Sequence, residues 1–225
     1  MRRGEKARLA KRDQHQAQQQ IVGKTDDGKP FTKAHVEEFS RPETVALHEA
    51  CHAVAAWLLN VPIHLMQFIE GESPGDLGGD TQTVFPLPPN APIGERFVYA
   101  RQQAFIDLAA VFGSGQADSP NPLFQFETRK HVQGAGDLIS SITGIREEEE
   151  IREDICRLIS HTIETFEDQR VKGLTTRLAQ QFLRQRRLTG EEIVAILSQA
   201  WLEFDKADRA AESAPDLEEE TNGMG

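Results

Sequence analysis

The chain has 225 residues, of which 38% are hydrophobic and 27% charged, with a formal net charge of −11. No apolar run approaches the roughly 20 residues of a membrane helix, residues 1–20 lack the apolar core of a secretory signal, and two cysteines, Cys51 and Cys156, exclude a disulfide framework or a cysteine-rich zinc finger. The acidic balance repels a phosphate backbone, so nucleic acid is not an expected partner, and a reducing cytoplasm is the expected location.

Residues 1–40 mix Gln, Lys, Gly and Asp with little periodicity and read as a flexible leader. Its first 24 residues carry seven basic side chains (Arg2, Arg3, Lys6, Arg8, Lys11, Arg12, Lys24) against Glu5 and Asp13. Gly23-Lys24-Thr25 has the ending of a phosphate-binding loop, but the glycine that such a loop needs five positions earlier is Gln18. No nucleotide site is expected, and no ATPase. Arg41-Pro42-Glu43-Thr44 has the form of a helix entrance, and a helix is predicted over 43–60, ended by Asn60-Val61-Pro62. Residues 63–70 and Thr81 to Phe85 read as two strands of a small antiparallel hairpin with a long Gly/Asp loop. A proline-rich linker over 86–92 leads to a helix over about 94–112, and Gly113, Gly115, Pro120 and Pro122 break it into a loop.

Farther on, Gly134-Ala135-Gly136 reads as a turn before Asp137, Leu138, Ile139 and Ile142. A long amphipathic helix is predicted over about 146–170, with Ile151, Ile155, Leu158, Ile159, Ile163 and Phe166 as its core stripe. Two more helices fill 171–203, separated by a turn and N-cap at Leu188-Thr189-Gly190-Glu191-Glu192. Beyond Trp201 the balance turns acidic, ending in Asp216, Glu218, Glu219 and Glu220. The expected organisation is a leader over 1–40, one mainly α domain with a small β-hairpin over 41–203, and a disordered acidic tail over 204–225.

The chemistry lies in His48-Glu49-Ala50-Cys51-His52. Four residues along an α-helix return to nearly the same face, so His48 and His52 can aim both imidazoles at one point. Two neutral imidazoles make half of a tetrahedral zinc site. Glu49 is displaced around the helix and reaches past the metal toward its water. In this HExxH arrangement zinc acidifies the water and the glutamate accepts its proton. The flanking residues are apolar (Val45, Leu47, then Ala53 through Leu59), and charged groups in a mostly buried helix need such a reason. A third ligand must come from elsewhere. By spacing, His64, Asp76, Asp80, Glu127, His131, Asp137 and His161 are all candidates, with His64, His131 and His161 read as surface or satisfied core histidines rather than ligands.

His48-Glu49-Ala50-Cys51-His52-Ala53-Val54 resembles the HEAGHAV signature of the FtsH-type ATP-dependent zinc metalloproteases. Their third ligand is an aspartate in a segment similar to Gly134-Ala135-Gly136-Asp137-Leu138, so the resemblance implies a Zn²⁺ site of His48, His52 and Asp137 with Glu49 as the catalytic base. Leu77-Gly78-Gly79 resembles the family's glycine-bearing strand, Phe112 to Asp118 its L-G-G-R-A-A-E stretch, and residues 174–197 its closing helices. The likeness spans roughly 43–198. Cys51, Gly115 and Asp118 depart from the pattern, standing where the family has glycine, arginine and glutamate.

The resemblance covers the peptidase domain alone, without a membrane anchor or AAA module. It implies a helical zinc endopeptidase that holds an extended substrate along the strand near 77–85. Unfolded or loop-exposed polypeptides are the expected substrates, or proteins presented by a separate partner ATPase. A homo-oligomer, hexameric by analogy, is the expected assembly. Two other functions fit the same residues. One is a non-catalytic metal-binding regulator or partner of a full-length ATP-dependent protease, which the intact Glu49 disfavours. The other is a regulatory peptidase that cuts one repressor-like protein.

Overall fold

A computed structural model describes residues 20–71, 77–84, 90–144 and 147–212, with side chains through 210. The protein is mainly α, with seven α-helices among the described residues and a small antiparallel sheet. Helix α2 (Pro42–Leu58) is its axis; α1 (Lys33–Phe39) precedes it. Proline at the first turn of α2 sets the helical φ, and Asn60, at φ 54°, turns the chain away after its end. Ala46, Ala50, Cys51 and Ala53 to Ala56 are all fully buried. A helix apolar around most of its circumference must be enclosed, and these small side chains let neighbours approach closely.

Those neighbours are α3 (Ile93–Gly113), α6 (Gln169–Gln185) and the sheet. Helix α3 also packs on α4 (Pro122–Thr143) and α5 (Glu148–Glu167). Ala104, Leu108, Ala109, Ile139, Leu174, Leu178 and Phe182 complete the core. A last helix, α7 (Gly190–Glu212), closes the fold through Ile193, Leu197 and Ala200, each fully buried. No helix among the described residues is long and apolar enough to cross a membrane.

The main sheet has the order β4-β3-β5, with β3 at Ile63–Glu70, β4 at Leu77–Thr83 and β5 at Arg187–Thr189. Strand β4 runs antiparallel to β3, from Ile63 opposite Thr83 to Glu70 opposite Leu77, and is an edge strand. It starts earlier than the expected Thr81, because Gly78 and Gly79 pair with Ile69 and Phe68 instead of looping. Phe85, expected in the strand, lies outside the described residues. The anticipated cap before α7 is a capping box: Thr189 Oγ1 accepts from Glu192 N–H, and Glu192 Oε2 accepts from Thr189 N–H at 2.7 Å. Strand β5 is an addition at this place, formed because Leu188 buries fully beside Met66.

Three expectations are corrected. The leader over 1–40 is structured from Ile21: a hairpin of β1 (Ile21–Lys24) and β2 (Pro30–Thr32) feeds α1, whose start is a Thr32/His35 capping box. This unit is fastened to α4. Asp27 pairs with Arg129 at 2.8 Å, Lys29 Nζ donates to Gln125 Oε1, and Asn121 Nδ2 donates to the His35 carbonyl. The Gly134-Ala135-Gly136 turn is continuous helix within α4, because Ala135 and Ile139 both bury fully and packing outweighs a glycine cost of about 1 kcal/mol. The tail expected from 204 continues α7 to Glu212, with Arg170 bonding Asp205 at 3.1 Å as well as Asp208. Residues 1–19 and 213–225 lie outside the described residues.

Candidate metal centre

His48 and His52, one turn apart on α2, meet His131 of α4. Ring centroids stand 5.1 Å apart for His48–His52, 5.4 Å for His48–His131 and 5.7 Å for His52–His131. One ring nitrogen from each lies within 4.8 Å of the others. Three nitrogens on a tetrahedral ion at about 2.1 Å would stand roughly 3.4 Å apart. Side-chain adjustments of about an ångström therefore suffice to close the triad on one ion.

Two of the imidazoles are oriented from behind. His52 Nδ1 lies 2.8 Å from the carbonyl oxygen of Ile106, which only accepts, so Nδ1 carries the proton and Nε2 presents its lone pair. His48 Nδ1 lies 3.0 Å from Gln116 Oε1, with the same consequence. Outer partners of this kind fix tautomer and ring direction in metal sites. Gln116 is brought there by a short 3-10 turn (Gln116–Asp118) that follows Gly115, whose φ of 75° reverses the chain after α3. Burial, and then the neighbouring imidazole, pushes His48 down to about 4. Burial also brings His52 to about 4, with His131 adding to the shift, and burial lowers His131. All three are therefore neutral near pH 7, as ligation requires.

Glu49 is 5% exposed and lies beside the triad without joining it. Its Oε2 accepts from Thr81 Oγ1 at 2.7 Å, across the gap between α2 and β4. Burial raises its pKa above the ordinary carboxylate value, in the direction that suits a general base. Gly79 on β4 makes room for it: a Cβ there would stand 2.4 Å from Glu49 Cγ and 2.6 Å from Oε1. Strand β4 thus both positions the carboxylate and passes directly over it.

The third-ligand expectation changes. Asp137 is exposed and is not in the triad; His131, six residues earlier on the same helix, is. Six residues of α-helix turn the chain by about 240° and advance it by roughly 9 Å. A face that delivers His131 to the metal point therefore carries Asp137 away from it. Glu127, one turn before His131 on the same face, lines the cleft beside His48 and Glu49. His64 and His161 are exposed, and Asp80 is occupied by Gln82 Nε2 at 2.6 Å. Asp76 lies outside the described residues. Cys51 is fully buried in the core, where burial raises its pKa and keeps it a thiol.

Gln116 and Thr81 were not anticipated as site residues, since neither carries a spacing signal. No protein-family model matches this sequence, and no curated protein matches it. The donor set itself defines the chemistry available. Three neutral imidazoles suit zinc and other borderline divalent ions, and three protein ligands leave coordination positions open.

Proposed function

We propose that this protein is a metal-dependent endopeptidase whose resident ion is zinc, held by His48, His52 and His131. The observation that carries the reading is the convergence of three imidazoles, two of them oriented by hydrogen bonds from behind, beside a buried carboxylate outside the triad. A purely structural zinc site needs ligands but no adjacent base. When bound, a divalent ion supplies Lewis acidity that polarises a carbonyl and acidifies water.

The chain's own residues do the rest. Glu49 accepts the proton of the attacking water and returns it to the leaving nitrogen, with Thr81 holding its carboxylate in place. Gln116 and the Ile106 carbonyl keep the imidazole lone pairs aimed. The outer edge of β4 offers backbone N–H and C=O groups to an extended polypeptide, which it would bind as an added strand over Glu49. The likeness of His48 to Val54 to the FtsH-type peptidases supports the same chemistry, with His131 in place of the aspartate that the likeness implies.

The test is cleavage of an unfolded protein, such as reduced casein, by zinc-loaded protein and by Glu49→Gln. The expected result is cleavage by the wild type, its loss on chelation, and zinc retained but cleavage lost in the variant. Equal cleavage by both proteins would overturn the reading, and so would inert wild type fully loaded with zinc.

A further inference from the structure

A cleft of about 250 Å³ opens onto His48 and Glu49. Beyond those two groups its lining is largely apolar, with Phe39, Val45, Leu77 and Phe124 as its large hydrophobic side chains. The Phe39 and Phe124 rings stand 5.2 Å apart, tilted by 43°. Phe39 is the last residue of α1, so this wall is brought by the N-terminal unit, Ile21 to Phe39, that α4 holds in place through Asp27, Lys29 and His35.

The volume falls below the roughly 300–1,000 Å³ of sites that enclose whole small ligands. It suits a single side chain. The ionisable side chains on the lining are His48, neutral through burial, and the acidic Glu49 and Glu127, so the lining itself offers no cation to an acidic substituent, and an apolar one desolvates favourably. Leu77, Gly78 and Gly79 belong at once to the cleft lining and to the edge strand β4. A peptide laid along that edge therefore carries its side chains past the cleft mouth, within reach of Glu49.

We propose that Phe39, Val45, Leu77 and Phe124 form a specificity pocket that takes one apolar side chain of a polypeptide beside the bond under attack. The N-terminal unit is then part of the substrate site, with Phe39 as its selectivity-setting residue. The inference rests on the peptidase reading for its substrate class, and its test separates the two.

Zinc-loaded full-length protein is given a peptide series in which one position is Gly, Leu, Phe or Asp. Cleavage sites are mapped by mass spectrometry. Zinc-loaded Glu49→Gln is titrated with the same peptides by fluorescence anisotropy. Leu or Phe is expected to exceed Gly by at least about 10-fold in kcat/KM and in binding, as expected when apolar groups fill a pocket, with Asp poorest. Phe39→Trp narrows the pocket and should shift preference from Phe toward smaller apolar residues. Phe39→Ala widens it and should shift preference the other way; a general structural defect would move both variants together. Selective binding without wild-type cleavage keeps the pocket and overturns the peptidase reading. Cleavage with no preference among the four residues overturns the pocket and keeps the peptidase. The pocket also falls if both Phe39 variants change selectivity alike, or if neither cleavage nor selective binding is seen.

Discussion

Substituting the two neighbouring glycines of β4 separates the site's geometry from ordinary strand energetics. A Cβ on Gly79 would meet Glu49 Cγ at 2.4 Å, Oε1 at 2.6 Å and Cδ at 2.7 Å, whereas a Cβ on Gly78 has Ile69 O at 3.9 Å as its nearest neighbour. Glu49 is 5% exposed and tied to Thr81, so any retreat toward the cleft breaks that hydrogen bond and moves the carboxylate from its place. Gly79→Ala should cost about 1–3 kcal/mol of overpacking. Gly78→Ala should gain a few tenths to about 1 kcal/mol by restricting the unfolded chain. For a chain of this length about 1 kcal/mol moves Tm by roughly 2–4 °C. Gly79→Ala should therefore melt about 2–12 °C lower than wild type, and Gly78→Ala at or slightly above it. A displacement of about 1 Å in a catalytic group can cost about 100-fold in rate. Casein cleavage by zinc-loaded Gly79→Ala should fall by that order, while its zinc content stays at wild type. Calorimetry and a cleavage assay on the pair check this. Equal melting of the two variants, or full cleavage by Gly79→Ala, would refute the placement of Glu49 against β4.

The ligand set makes a second prediction. At zinc about 100 times its Kd, binding adds about 2.7 kcal/mol, roughly 5–10 °C in Tm; His131→Ala should abolish most of that shift and Asp137→Ala should leave it intact, as differential scanning fluorimetry reads. Gln116→Leu removes the acceptor for His48 Nδ1 and should weaken zinc by about 10–100-fold in a chelator competition. For the metal-free protein, His48 and His52 stand at about 4 in the fold against an ordinary 6.5, so the unfolded chain takes up protons first as pH falls. Their stability contribution is therefore complete above about 6.5 and is lost progressively down to about 4, on the order of 3 kcal/mol per histidine. Urea unfolding at pH 7 and pH 5 checks this, and a flat profile would contradict it.

Much of this arrangement was legible in the residues. The α2 helix followed from its proline entrance and its apolar run up to Asn60-Val61-Pro62, strand β3 from the apolar run after that stop, and the shared face of His48 and His52 from the fixed geometry of one helix. The third ligand was not, because His131 reaches the site through the packing of α4 beside α2, and spacing along the chain carries no record of that contact. Reading Gly134-Ala135-Gly136 as a turn compounded this. Glycine propensity points to a break, but buried Ala135 and Ile139 hold the helix straight through it, and continuity of the helix sets where His131 and Asp137 point. The N-terminal unit was hidden for a related reason: its elements are only 4, 3 and 7 residues long. Segments that short lack a periodic signature and take their order from docking on α4.

Anomalous diffraction at the zinc edge from crystals grown with zinc tests the centre most directly. One strong peak bonded to His48, His52 and His131 Nε2 is expected, with the Glu49 carboxylate beside it and unbonded. A peak bonded to Asp137, one with Glu49 as a ligand, or no peak between the three imidazoles would contradict this ligand set.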